Sequence, residues 1–263
     1  MAKTKDKNEW GSNLSFLLAM IGSAVGLGNI WRYPYVLYSN GGGAFFIPYI
    51  VAILIMGIPF LILEYGVGYN FKSSFPKAVK SISNKWEYLG WFLPVAVFMI
   101  LIYYSAILGW DGFYVIISAF KGWGADPNAY FTGSFLQAND TLGGLGTFVP
   151  FVAIAMLVGW VIMWVISHTD LEKGLGRVSK VLVPLLFAIM IFIVLFSLTL
   201  PGAGIGLAEL YNPDWSLLLN FNIWMAAFGQ MIFSLSLGMS IAFTYASYTK
   251  DDSDLQCIVG NCS

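Results

Sequence analysis

Apolar residues in this chain run in long, nearly uninterrupted stretches, without the regular polar face that a soluble helix shows. A run of about 20 such residues makes one helical membrane crossing. Six stretches qualify, near Leu14–Tyr38, Ala44–Phe71, Tyr88–Phe120, Phe148–Ser167, Val178–Leu200 and Asn222–Tyr248. The pattern predicts an all-α integral membrane protein of six transmembrane helices, the third long enough to tilt strongly. Polar connectors separate them. Lys121–Thr147 is rich in Gly, Asn and Asp and contains Pro127, whereas Lys72–Glu87 is basic and suited to a short surface helix. No stretch has the short apolar core and cleavage site of a secretory signal, so the first span is expected to be retained.

Composition strengthens this reading. The chain is 58% hydrophobic and 10% charged, with a mean hydropathy of +0.75, which is more apolar surface than a soluble core hides. The net charge of −1 conceals an asymmetry. Lys3, Lys5, Lys7, Lys72, Lys77, Lys80, Lys85, Lys173, Arg177, Lys180 and Lys250 fall on one side of the predicted spans, and Lys121 alone on the other. Positive charge resists translocation, so this predicts both termini in the cytoplasm, in a plasma-membrane protein with no nucleic-acid surface. Cys257 and Cys262, in the short C-terminal tail, read as unpaired thiols on the reducing side.

The candidate chemistry is concentrated in two spans. Ala19–Pro34 places Gly22, Gly26, Gly28, Asn29, Arg32 and Pro34 inside one hydrophobic run. Gly costs a helix interior about 1 kcal/mol relative to Ala, and Pro more, so the helix is expected to unwind between Ala24 and Asn29. Unwound backbone at membrane depth persists where protein or a polar cavity satisfies it. Gly22-x-x-x-Gly26 taken alone favours close helix packing. Asn29 and Arg32 favour a polar site, because charge in the bilayer is costly and kept for function, although Arg32 also has the reach to snorkel outward. The sixth stretch repeats the signature with Gly229, Gln230, Ser234, Ser236 and Gly238. Hydroxyls two residues apart cannot share one helical face, so a break there is expected too. Tyr103-Tyr104 reads as aromatic packing and His168 as a solvated loop residue. No Ser–His–Asp set, metal-ligand cluster or phosphate loop is present, so the chain is not read as an enzyme.

The segments NEWGSNLSFLLAMIGSAVGLGNIWRYP (Asn8–Pro34), NGGGAFFIPY (Asn40–Tyr49), GIPFLILEYGVG (Gly57–Gly68), FGQMIFSLSLGM (Phe228–Met239) and TYASY (Thr244–Tyr248) together resemble the neurotransmitter:sodium symporter family. The resemblance implies sodium-coupled symport of an amino acid or related small zwitterion, with sodium as the coupled ion and chloride as a second candidate. It also implies a role for each matching position. Ala24, Asn29 and Ser234 correspond to the sodium site that touches the substrate carboxylate, offering oxygens of the kind a hard cation prefers. Gly22 and Val25 correspond to backbone ligands of a second sodium site. The Leu27 and Gly28 amides and the Tyr104 hydroxyl correspond to the carboxylate grip. The carbonyls of Ala24, Phe233 and Ser234, with Ser236, correspond to the ammonium site, and Ile100, Phe233 and Met239 to an apolar side-chain pocket. Arg32, Tyr104 and Phe233 correspond to the external gate. Tyr49 and Gln230 are polar neighbours of the first sodium site, and Glu64 is a buried acid expected to cap freed amides.

The family's fold is built from two inverted five-span repeats with discontinuous first and sixth spans. This chain resembles the first repeat plus the opening helix of the second, read as one transmembrane domain over residues 1–254 with a divergent tail at 255–263. The part it lacks would supply an Asn of the first sodium site, span-eight oxygens of the second and an acidic partner for Arg32. A frameshift, a premature stop or an incomplete gene model would each give that pattern. Three readings follow: a truncated symporter inactive alone, a non-transporting membrane subunit or pseudotransporter that binds a partner protein, and a half-transporter completed by another chain. The candidate partners are an amino-acid substrate, the lipid bilayer, and a second-half polypeptide or homodimer.

Overall fold

The computed structural model describes residues 9–26, 28–138 and 148–250. The predicted tail with Cys257 and Cys262, and Leu27 within the first break, lie outside the described residues. Every regular element among the described residues is helical.

Helix α1, Asn13–Ala24, starts at Ser12, whose hydroxyl accepts from the Ser15 amide at 3.2 Å and satisfies one of the amides a helix start leaves unpaired. A π-type turn, Gly28–Arg32, leads into α2, Tyr33–Ser39, and the two halves of this span meet at a 52° bend. Helices α3 (Phe46–Ala52) and α4 (Ile58–Phe71) join through a π-type turn, Ile53–Gly57, into one span that runs from Gly42 to Phe71. Then come α5 (Phe75–Ile82), α6 (Glu87–Ala119), α7 (Pro150–His168), α8 (Arg177–Leu198) and α9 (Ala203–Tyr211). The sixth predicted span is divided into α10, Phe221–Ser234, and α11, Ile241–Ser247.

Among the described residues, four continuous stretches are long and apolar enough to cross a membrane: Gly42–Phe71, Asn84–Ala119, Pro150–His168 and Glu172–Leu198. The bent α1–α2 pair qualifies as a fifth when taken as one span. The halves of the α10–α11 pair, 14 and 7 residues long, are each too short to cross alone, and they are separated by a break of the kind that the spacing of Ser234 and Ser236 anticipates. Side chains such as Phe92, Phe192 and Val115 are 67–71% exposed along these helices, an outward apolar face suited to hydrocarbon or to further apolar helices.

The chain divides into two compact units, Met1–Pro94 with Asp170–Ser263, and Val95–Thr169. In the first, α3 packs on α10, α1 on α8, and α4 on α11. Ala44, Phe45, Ile223 and Ala227 form one buried cluster, and Ala52, Met231 and Leu237 another. Glycine makes the closest approaches possible: a Cβ on Gly68 would meet the backbone of Phe243, and one on Gly43 the carbonyl of Leu210. In the second unit, Gly109 of α6 lies against the backbone of Ala155 and Met156 in α7. An aromatic group of Phe113, Tyr114, Phe131 and Phe135 closes one end, with Phe113 and Phe135 stacked at 5.2 Å. His168 is exposed and stacks on Trp164.

Candidate functional site

Two helix breaks face each other in the first unit. Helix α1 stops at Ala24, and the Val25 amide still donates back to Ile21 O at 2.7 Å. Helix α10 stops at Ser234, and three residues in the next six, Ser236, Gly238 and Ser240, take positive φ of 52°, 73° and 58°. Two of them carry side chains, for which this conformation is uncommon, so the break is imposed by its surroundings. Each ending frees carbonyls and amides that need partners at membrane depth.

Those partners form one polar knot. Asn29 Nδ2 donates to Ala24 O, and also to Ser234 O at 3.4 Å. The Ser234 hydroxyl donates to Asn29 Oδ1, joining the two breaks side chain to side chain. Gln230, fully buried, donates through Nε2 to Ser234 Oγ at 3.0 Å and to Gly28 O at 3.4 Å. Arg32 donates to Gln230 Oε1, and its guanidinium lies 5.3 Å from the centre of the Phe233 ring, a cation–π contact. Among the described residues no carboxylate pairs with Arg32. Oxygens of Gly28, Ala24, Asn29 and Ser234 thus converge within hydrogen-bond reach, a neutral set of the hard donors that alkali and alkaline-earth cations select. Gly28 is buried, and a Cβ there would run into the Phe233 ring.

A second group lies just beyond. Ser236 Oγ donates to Ser23 O at 3.3 Å, and Glu64 Oε1 of α4 accepts the Gly238 amide at 2.7 Å. Glu64 Oε2 and the Ser240 hydroxyl are buried there without a partner among the described residues, so polar capacity is left over beside the break. Gly22 lines a cavity of about 460 Å³ between α1 and α8, together with Ala19, Ser23, Ser179 and Val183. Tyr49 packs against Tyr33 and Phe45, and Met239 sits within the α10–α11 break.

Of the residues singled out in the sequence, the structure therefore brings together Ala24, Gly28, Asn29, Arg32, Gln230, Phe233 and Ser234, with Ser236 and Glu64 beside them. Val25 caps α1, and Gly22 faces the cavity. Ile100 and Tyr104 stand on α6 in the second unit, and Leu27 is not described, so these three carry only the roles the resemblance implies.

Sequence reading missed the latch at the other end of span one. Trp10, 3% exposed, donates from Nε1 to Tyr245 O at 2.9 Å and from its amide to Tyr248 O at 3.1 Å. Glu172 accepts from the Gly11 amide at 3.0 Å and Ser15 Oγ at 2.8 Å and pairs with Lys180 at 2.6 Å. Lys72 donates to Thr249 O. The Trp10 and Glu172 contacts tie the start of α1 to the end of α11 and the start of α8, and Lys72 ties the end of α4 to Thr249 just beyond α11. The only sequence signal was Trp10 preceding a polar N-cap, which is too local to name distant partners.

Residues 7–125 and 120–259 match the Sodium:neurotransmitter symporter family. The chain is 44% identical to an uncharacterized sodium-dependent transporter of Methanocaldococcus jannaschii, over 95% of this chain and 51% of that protein. It is 27% identical to the sodium-dependent neutral amino acid transporter B(0)AT2 of Mus musculus, over 95% of this chain and 37% of the relative. Its fold is similar to the crystal structure of MhsT in complex with L-phenylalanine, with a TM-score of 0.78, 36% identity, and coverage of 95% of this chain and 56% of that one. The chain spans about half the length of the first two curated relatives it matches.

Proposed function

The chain belongs to the sodium:neurotransmitter symporter family, whose members are transporters and not enzymes, and from that premise we propose that it forms the ion- and substrate-binding half of a sodium-coupled amino-acid symporter. The observation that carries the proposal is the joining of the two helix breaks through Asn29, Ser234 and Ala24. In this reading a sodium ion replaces the carboxamide hydrogens that now lie on Ala24 O. Asn29 then turns its amide oxygen to the ion, beside the Ser234 hydroxyl, while Gly22 and Val25 offer backbone oxygens to a second ion. The Gly28 amide and the carbonyls of Phe233 and Ser234, with Ser236, receive the carboxylate and ammonium of a neutral amino acid. Phe233 and Met239 line its side chain. Arg32, held by Gln230 and Phe233, closes the external side. Chloride has no separate support.

Ala24, Asn29 and Ser234 supply three protein oxygens, fewer than a hard cation requires, so further ligands must come from the substrate and from the half of the fold that this sequence does not span. Reconstituted alone in liposomes, the chain is expected not to concentrate amino acids on a sodium gradient. Supplied with a polypeptide resembling the second half of its relatives, it should. Uptake by the chain alone would remove the need for a second half. Absence of sodium-dependent amino-acid binding in the complete assembly would remove the transport reading and favour a non-transporting subunit.

The orientation proposed has both termini cytoplasmic, from the lysine and arginine asymmetry. Single cysteines at Gly124 and Ser81 should react with a membrane-impermeant thiol reagent from outside and only after permeabilisation, respectively. The opposite pattern in intact cells would invert the topology.

A further inference from the structure

The basic connector after the second span takes no part in the transport site. It leaves the end of α4 at Lys72 and returns to the membrane at Glu87, so its position at the membrane boundary is fixed by the spans on either side. One face of α5 is pinned inward. Phe75 meets Phe243 edge-on at 5.4 Å, Pro76 and Ala78 are buried, and Gly90 lies against Pro76 and Val79. The opposite face presents Lys77 and Lys80, with Lys85 one turn beyond, all exposed. Ile82, at the end of α5, and Trp86, 72% and 57% exposed, flank Lys85 in the chain.

Charge on this stretch is unbalanced. Between Lys72 and Gly90 there are four lysines and one acid, Glu87, which pairs with Lys80 at 2.8 Å. Lys72 is turned inward, donating to Thr249 O and lying 4.5 Å from the Tyr69 ring centre. Lys77 and Lys85 make no ion pair among the described residues.

We propose that α5 and the turn after it form a binding site for anionic phospholipid headgroups, in which Lys77, Lys80 and Lys85 engage phosphate while Ile82 and Trp86 enter the acyl boundary. Basic residues on a helix lying in the membrane plane, with Trp at headgroup depth, bind anionic lipid by this combination of charge and buried apolar area. The lipid partner is favoured over an acidic protein because the exposed Ile and Trp sit beside the lysines at the membrane boundary. Each lysine near an anionic surface is worth about fivefold in association, an effect that added salt screens.

The test is the association of spin-labelled phosphatidylglycerol, relative to spin-labelled phosphatidylcholine, with the full chain in phosphatidylcholine vesicles. The native chain should prefer phosphatidylglycerol, less so at high salt. K77Q/K80Q/K85Q should lose the preference, while K77R/K80R/K85R and the charge-matched control K173Q/R177Q/K250Q should keep it. No preference in the native chain, an undiminished preference in the glutamine variant, or an equal loss in the control would overturn the site.

Discussion

Gly68→Val is expected to lower the thermal stability of the purified chain by about 5 °C. A Cβ at this position would lie 2.8 Å from the carbonyl carbon of Phe243 and 2.9 Å from its Cα, and nearer still to its oxygen. These are backbone atoms of α11, so no side chain can rotate away and the two helices must separate. Overpacking of this kind costs about 1–3 kcal/mol and occasionally more, which outweighs the few tenths of a kcal/mol of helix propensity that Val gains over Gly. A domain of this size loses about 2–4 °C per kcal/mol. The displacement also reaches the site, because α4 carries Glu64, whose carboxylate holds the Gly238 amide. Gly159→Ala is the control, since a Cβ there meets nothing within 4 Å. If the two variants melt together in size-exclusion thermal assays, the α4–α11 contact does not limit stability.

Asn29→Leu is expected to weaken sodium binding in the complete assembly on the order of a hundredfold, and Ser234→Ala about tenfold, given the 1.5–3 kcal/mol typical of a hydrogen-bonding group on a charge. Leu also leaves Ala24 O without its present donor, whereas Ala at 234 leaves the backbone carbonyl in place. Because linkage is reciprocal, amino-acid affinity at fixed sodium should fall along the same order, and saturating sodium should recover part of it. The measurement is amino-acid binding titrated against sodium for both variants. An unchanged sodium dependence in Asn29→Leu would make the joined breaks a packing device and remove them from the ion site.

The sequence disclosed much of this architecture because membrane physics is local. A helix that must hide every amide reveals a break by its glycines, and α1 indeed stops at Ala24, inside the Ala24–Asn29 window expected. The spacing of Ser234 and Ser236 marked the second break in the same way. What stayed hidden is what neighbours impose. Ser236 and Ser240 adopt left-handed backbone that their residue types disfavour, so no propensity argument finds them. Lys121–Thr147 read as a polar connector, yet Phe131 and Phe135 inside it pack with Tyr114. Trp10 and Glu172 were likewise silent, because their partners are 235 and 161 residues away in the chain.

The hydrogen bond between Asn29 and Ser234 spans 205 residues of chain. At roughly 5–20 residues per second, a ribosome needs about 10–40 s to deliver the second partner after the first. Through that interval the glycine-rich half of the pair is already synthesised, with the Asn29 carboxamide oxygen and the Arg32 guanidinium still without Ser234 and Gln230, and lipid or the insertion machinery as its surroundings. A newly made chain therefore depends on something holding its first hydrophobic segment until the sixth arrives. Slowing translation between the two should increase the fraction captured by membrane quality control.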